Sequence, residues 1–336
     1  MTTPQTRRRF LTTTALAGAA ILARAPRLMA GEGNLETTTI RVVTGGGGIC
    51  NAPQQVAREL LRAEGFTDIH YGAEVRADMT EAVGGGEFDF SMNFASSLVV
   101  AIDRGVPVTV LAGVHIGCFG LFGHKGIRGI ADLRGKSVAI GALRGPSHLF
   151  VAAMAAHIGI DPDKEINWVP SPPGGKAMDL FADGKADAFL GLPPQPQELR
   201  ARQIGHLVVD SAVDRPWSQY FCCLLYGNRD YVRKHPVATK RVLRAVLKAA
   251  DLCATEPERV ARQLVNDGLT EPYGRVLEVI RGLPYDKWRE YDHEDTMRFW
   301  ALRLHEAGLI RSSPQKIIAD GTDWRFLNEL KRELKT

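Results

Sequence analysis

One strand–loop–helix pattern is written twice along the chain, and that repetition limits the fold more than any other feature. Residues 39–43 are Thr-Ile-Arg-Val-Val, a strand rich in β-branched side chains. Glycines 45–48 follow, Asn51-Ala52-Pro53 reads as N-cap and first turn, and residues 54–64 read as a helix with Val56, Leu60 and Leu61 on one face. The second copy runs from a strand at residues 136–140, through the loop Gly141-Ala142-Leu143-Arg144-Gly145-Pro146, to Ser147 as N-cap of a helix over 148–158 that stops at Gly159. Each half then continues alike. A short helical stretch (79–83; 176–182) precedes Gly86-Glu87-Phe88-Asp89 or Gly184-Lys185-Ala186-Asp187, then a strand (90–93; 188–191) and another helix (95–103; 196–203). Strands alternating with helices over short loops predict an α/β fold, with parallel-rich sheets covered by helices on both faces. Two such units predict two lobes.

The crossings between lobes follow from the remaining apolar runs. Residues 108–112 form the strand that ends the first unit, and 117–123 pass to the second lobe. Residues 206–210 are that lobe's last strand, and 220–227 return to the first. From Arg229 onward the pattern is helical. Its clearest helix spans 237–255, with Val242, Leu243, Val246, Leu247 and Ala250 on one stripe and Lys240, Arg241, Arg244 and Lys248 opposite. The expected organisation is a first lobe of residues 38–118 plus 220–336 and a second of 119–214.

The first 30 residues belong to neither lobe. Thr6-Arg7-Arg8-Arg9-Phe10-Leu11 and the apolar stretch 15–23 read as a twin-arginine export signal, with cleavage after Ala25 or Ala30. Nine apolar residues rise only about 14 Å as a helix, short of a bilayer core of about 30 Å. With no cysteine near either cleavage site, no lipid anchor is expected. The expectation is a soluble periplasmic protein, exported already folded and acting as a monomer. The five arginines of this segment (Arg7, Arg8, Arg9, Arg24, Arg27) outweigh the chain's net charge of +4 and leave −1 on the rest. Nothing then suggests a nucleic-acid surface. Five cysteines at irregular spacing (Cys50, Cys118, Cys222, Cys223, Cys253) make no disulfide framework, and buried thiols are the expected state, with one bridge possible. Cys222 and Cys223 sit in one strand and so point to opposite faces.

In open parallel sheets ligands bind beyond the carboxyl ends of strands. Two lobes joined by two crossings would turn those ends toward each other. The candidate ligand contacts are therefore Gly47, Gly48 and Asn51 in the first loop, and Asn93, Ala95 and Ser96 after the next strand. The second lobe offers Arg144, Gly145, Ser147 and His148, with Pro193 and Gln195 further on. His115, Trp217 and Tyr220 lie near the crossings. Glycines let bare backbone approach a ligand, helix starts at Ala95 and Ser147 attract anions, and Arg144 adds a forked cation. A turn, a cap and a solvated arginine would explain each feature singly. Their recurrence at strand ends in both halves favours a site for a small anionic or zwitterionic solute.

Other motifs are weaker. Glycines 45–48 lack the Gly-Lys-Ser/Thr of a phosphate loop and make no dinucleotide fingerprint. Asp292-His293-Glu294-Asp295 fits the acidic first turn of a helix over 294–307 better than a metal site. No nucleophile-elbow glycines surround Ser147-His148, and no two histidines stand four apart. No catalytic residue, metal or cofactor is called for. Trp217 and Tyr220 suit either stacking on a ligand or packing between lobes.

Ile130-Ala131-Asp132-Leu133-Arg134-Gly135-Lys136-Ser137-Val138-Ala139, Gly145-Pro146-Ser147-His148-Leu149, Gly184-Lys185-Ala186-Asp187-Ala188 and His235-Pro236 together carry a resemblance. The chain resembles the periplasmic substrate-binding proteins of ABC importers, in the nitrate, aliphatic sulfonate and taurine branch. The same superfamily includes thiamine-pyrimidine binding and pyrimidine synthase proteins. The resemblance implies a type II binding-protein fold, a hinge-closing cleft and delivery of solute to a membrane permease, with Asn93, Ser96 and Ser147 where contacts are made. It departs in the four-glycine loop, and in Gly191-Leu192-Pro193-Pro194-Gln195 where sulfonate binders carry an aromatic-acidic stretch. The synthases use iron and a cysteine-rich loop, of which this chain has only Cys222-Cys223. An enzyme of that type, or a sensor that binds solute without importing it, is the alternative.

Overall fold

The repeat is realised as two separate five-stranded sheets. The computed structural model describes residues 33–43, 48–72, 78–269 and 271–334, so the export-signal reading lies outside the described residues. Ten strands occur among them: β1 (Thr39–Val43), β2 (Asp68–Gly72), β3 (Phe90–Phe94), β4 (Val108–Ile116), β5 (Gly120–Gly123), β6 (Ser137–Ile140), β7 (Asn167–Pro170), β8 (Ala188–Gly191), β9 (His206–Asp210) and β10 (Phe221–Asn228). The first sheet runs β2-β1-β3-β10-β4 and the second β7-β6-β8-β5-β9.

Both sheets are mixed, and for the same reason. β1 pairs in parallel with β2 and β3, as β6 does with β7 and β8. The strand that arrives from the other half then inserts antiparallel: β10 between β3 and β4, and β5 between β8 and β9. The edge strands β2 and β7 go unread in the sequence because they are short, half-exposed and carry no continuous apolar run. β4 is longer than the pattern 108–112 predicts. All nine of its residues are buried, and His115 lies inside it.

The two halves also share their wiring. Asp89 accepts the backbone N–H of Arg41 at 2.7 Å and pairs with its guanidinium. Asp187 accepts the backbone N–H of Ser137 at 2.8 Å and its hydroxyl at 2.7 Å. Each aspartate thus fixes the entry of one strand against the start of its parallel neighbour. The Ser137 donors hold the Asp187 carboxyl below the usual carboxylate range.

Helix starts differ from the sequence reading. Pro146–His157 begins one residue before Ser147, with Gly145 as N-cap and Pro146 in the first position. Proline's fixed φ and missing N–H suit that place, so Ser147 falls inside the first turn. Asn51 stands at the N-cap of Ala52–Val56 but its side chain makes no capping bond. The expected helix 54–64 is split at Ala57 into Ala52–Val56 and Arg58–Ala63. Pro236–Thr255 buries its apolar stripe as expected, yet Arg244 on the other face is only 5% exposed. It pairs at 2.6 Å with Glu64, because Arg58–Ala63 and Arg325–Glu333 cover that face. Asp292 caps His293–Glu306 by accepting from the Asp295 N–H at 2.9 Å. No helix among the described residues is long and apolar enough to cross a membrane.

Candidate functional site

Residues that follow β1 and β8 come together. Gly48, just beyond β1, has φ +66, and a Cβ there would stand 3.0 Å from the Pro193 carbonyl oxygen beyond β8. Only glycine holds that backbone without strain and allows that approach. Gly47 lies outside the described residues. Gln195 stiffens the Pro193 turn, its side-chain carbonyl accepting from the Leu192 N–H at 3.0 Å.

Polar side chains line the first-sheet wall. Asn51 is buried and donates weakly, at 3.4 Å, to the Met92 carbonyl. Asn93 donates to the Thr80 hydroxyl at 2.9 Å and accepts from the Phe94 N–H. Ala95 and Ser96 are fully buried at the start of Ala95–Asp103. The Asn51 side-chain oxygen and the Ser96 hydroxyl are buried without a hydrogen bond. Such atoms are costly to leave unsatisfied, and a bound solute or water would satisfy them. Neither Ala95–Asp103 nor Pro146–His157 has a side-chain cap, which leaves first-turn N–H groups for an anionic partner.

The helix Pro146–His157 carries the second wall. It packs against Ala95–Asp103 and His293–Glu306, with the Phe150 ring 5.6 Å edge-on from Phe94 and 5.0 Å from Trp300. Gly145 and Ser147 are half-buried at its start. His148 turns into the second half, 4.4 Å from the Trp168 ring, and burial lowers its pKa.

Three candidates stand apart from these walls. Arg144, exposed and at φ 62, donates to the Leu309 carbonyl at 3.4 Å. Trp217 is buried among His157, Phe299 and Trp300, and Tyr220 stacks on Phe299 at 3.8 Å. Both aromatics pack against rings of His293–Glu306.

His115 lies in the core, inside β4. It is fully buried, its Nδ1 is 3.1 Å from the Ile116 carbonyl, and its ring meets Tyr285 edge-on at 5.1 Å. Its ligating atom and the sulfurs of Cys50 and Cys223 lie within 4.8 Å of one another. The Tyr285 hydroxyl donates to the Cys50 carbonyl at 3.1 Å. A hydrogen bond from Cys223 favours the Cys50 thiolate against burial, and burial pushes the Cys223 thiol up. A disulfide joins Cys118 to Cys222, so two of the five cysteines are paired. Residues 50, 115 and 223 are far apart in sequence, and no local spacing signals the cluster.

A family model described as NMT1/THI5 like matches residues 68–260, more than half of the chain. The 4-amino-5-hydroxymethyl-2-methylpyrimidine phosphate synthase THI5 of Saccharomyces cerevisiae is 24% identical over 237 residues, 64% of this chain and 68% of the yeast protein. The periplasmic nitrate-binding protein NrtA of Synechocystis PCC 6803 superposes with a TM-score of 0.71 at 15% identity, over 90% of each chain. The alkanesulfonate-binding protein SsuA of Xanthomonas axonopodis pv. citri, bound to MOPS, gives 0.67 at 16% identity, over 87% of this chain and all of the other. These structural likenesses carry the periplasmic binding protein fold.

Proposed function

The chain belongs to the NMT1/THI5-like family, and from that premise we propose that it is the periplasmic solute-binding component of an ABC importer. In this reading residues 38–118 plus 220–336 form one lobe and 119–214 the other. An open cleft takes a small anionic or zwitterionic solute, the lobes rotate shut, and the closed form docks on a permease. The observation that carries the reading is the apposition of Gly48 and Pro193. It brings together the carboxyl ends of strands from two sheets, the place where α/β folds bind ligands.

The ligand contacts proposed are the backbone at Gly48 and Pro193 and the side chains of Asn51, Asn93, Ser96 and Ser147. Uncapped helix starts supply positive potential without a buried cation. Such a wall suits a solute that brings both hydrogen-bond donors and a negative group. Export by the twin-arginine route places the protein beside its permease. Isothermal titration against nitrate, sulfonates, carboxylates and pyrimidines is expected to yield one tight ligand with unit stoichiometry. Failure of all of them to bind would remove the proposal.

A second reading, a pyrimidine-synthase-like enzyme, is favoured by the similarity to the yeast synthase. That chemistry needs iron in contact with substrate. The Cys50–His115–Cys223 set does not fit such a role, because all three residues are sealed in the core at 1% exposure or less. Incubation with pyridoxal phosphate and iron, followed by chromatography for a pyrimidine product, separates the two readings.

A further inference from the structure

We propose that Cys50, His115 and Cys223 form a buried site for a thiophilic divalent ion of the zinc type, which ties the cleft's first loop to the two central strands beneath it. Their ligating atoms lie within 4.8 Å of one another. Ligands about 2.1–2.3 Å from a tetrahedral zinc are themselves roughly 3.5–3.8 Å apart, so side-chain shifts of about an ångström close the site.

The histidine is set up as metal-binding histidines are. With Nδ1–H donating to the Ile116 carbonyl at 3.1 Å, the lone pair is on Nε2. That nitrogen is fully buried and makes no hydrogen bond within normal distance. A neutral imidazole buried with an unused acceptor wants a partner, and an ion between the two sulfurs supplies one.

Charge selects the ion. Two thiolates balance a divalent cation, so the filled site is neutral and suits a core position. Soft sulfur donors reject magnesium and calcium, which take oxygen. The site's place gives it a task. Cys50 directly follows the first cleft loop, His115 lies in β4 and Cys223 in β10, neighbouring strands that run toward and from the second half. An ion here would hold the loop that carries Gly48 and Asn51 in register with those strands.

The test uses the full mature chain, loaded with zinc and then gel-filtered. Metal analysis is expected to give about one zinc per chain. Cys50→Ser, His115→Gln and Cys223→Ser are each expected to lose most of it, while Cys253→Ser, altering a buried thiol elsewhere, keeps it. Cobalt substitution adds a readout that fold defects alone do not mimic: a sulfur-to-cobalt charge-transfer band in the wild type that weakens in each cysteine variant. Should the cysteine variants fail to fold, His115→Gln with retained circular dichroism and a shifted cobalt spectrum still decides for the site. Wild-type protein that retains no zinc and shows no such band overturns the proposal, as does peptide mapping that finds Cys223 disulfide-bonded to Cys50.

Discussion

Replacing Gly48 with alanine separates the backbone role of this residue from its role at the cleft. At φ +66 an alanine costs about 1–2 kcal/mol of folded stability wherever it sits. The new Cβ would also press on the Pro193 carbonyl oxygen at 3.0 Å, a few tenths of an ångström inside ordinary contact. Overpacking of that kind costs on the order of 1–3 kcal/mol. The second cost exists only while the two strand ends are together, so it falls on the closed state. Taking about 1.4 kcal/mol for it, solute affinity drops roughly tenfold. Gly126 is the control: its φ is +107 and a Cβ there meets nothing within 4 Å. Gly126→Ala is expected to lower the melting temperature as Gly48→Ala does and to leave affinity unchanged. Melting scans and isothermal titration on the solute found in the panel measure both. If Gly48→Ala binds as tightly as the wild type, the Gly48–Pro193 apposition is not the mouth of a closing cleft.

Other perturbations have definite signs. Asp187→Ala removes two charge-assisted bonds to Ser137 and is expected to cost about 1–3 kcal/mol in urea unfolding. Because the folded-state pKa of Asp187 is depressed, that difference is full above the unfolded aspartate value near 3.9 and vanishes as pH falls through the folded one. His293 is held neutral by burial, down to about 3, while its Nδ1 accepts from Gly113 at 2.7 Å. Below the unfolded histidine value near 6.5 the unfolded chain takes the proton first, so wild-type stability should fall by about 1.4 kcal/mol per pH unit from this residue alone. A flat stability profile between those two values would contradict the assignment. Arg144→Ala should change solute affinity less than about threefold in titration, because its exposed guanidinium is spent on the Leu309 carbonyl.

The sequence made the repeat legible because each strand, glycine turn and helix of the two halves carries its own local signal. Strands β1, β3, β6, β8 and β9 stand within a residue of where their apolar runs place them. Even the paired roles of Asp89 and Asp187 are foreshadowed by the matched residues 86–89 and 184–187. What local pattern does not encode is which way a side chain turns and what distant residue meets it. His115 reads as a wall residue until β4 extends four residues past its predicted end and buries it. Trp217 suits a ligand stack or a packing contact in the sequence, and nothing near it signals that Phe299 and Trp300 arrive from a helix some 80 residues later. Cys118 and Cys222 are 104 residues apart, and neither sequence neighbourhood names the other. The loops of the site were therefore readable, and its chemistry was not.

The two crossings do more than connect. Ser211 accepts the Phe119 N–H at 2.9 Å and donates to the Phe119 carbonyl at 2.8 Å, and a Cβ on Gly117 would fall 2.3 Å from the Ala212 Cα. The Cys118–Cys222 disulfide binds the outgoing strand to the returning one at the same level. In the proposed closing motion, segments stitched this closely would not slide independently, and the two halves would rotate about one shared axis. Such rotation moves atoms in proportion to their distance from the axis. On that proposal, contacts beside the crossings would be nearly indifferent to opening, whereas Gly48 and Pro193 would separate. The Phe94–Phe150 and Phe150–Trp300 ring contacts join residues of the two repeat halves, and such contacts are worth about 0.5–1.5 kcal/mol each. A solute that closed the proposed cleft would work with these contacts. A solute in the proposed cleft would need to supply only the remaining difference between open and closed states, which uncapped helix ends and neutral side chains would provide without a buried cation.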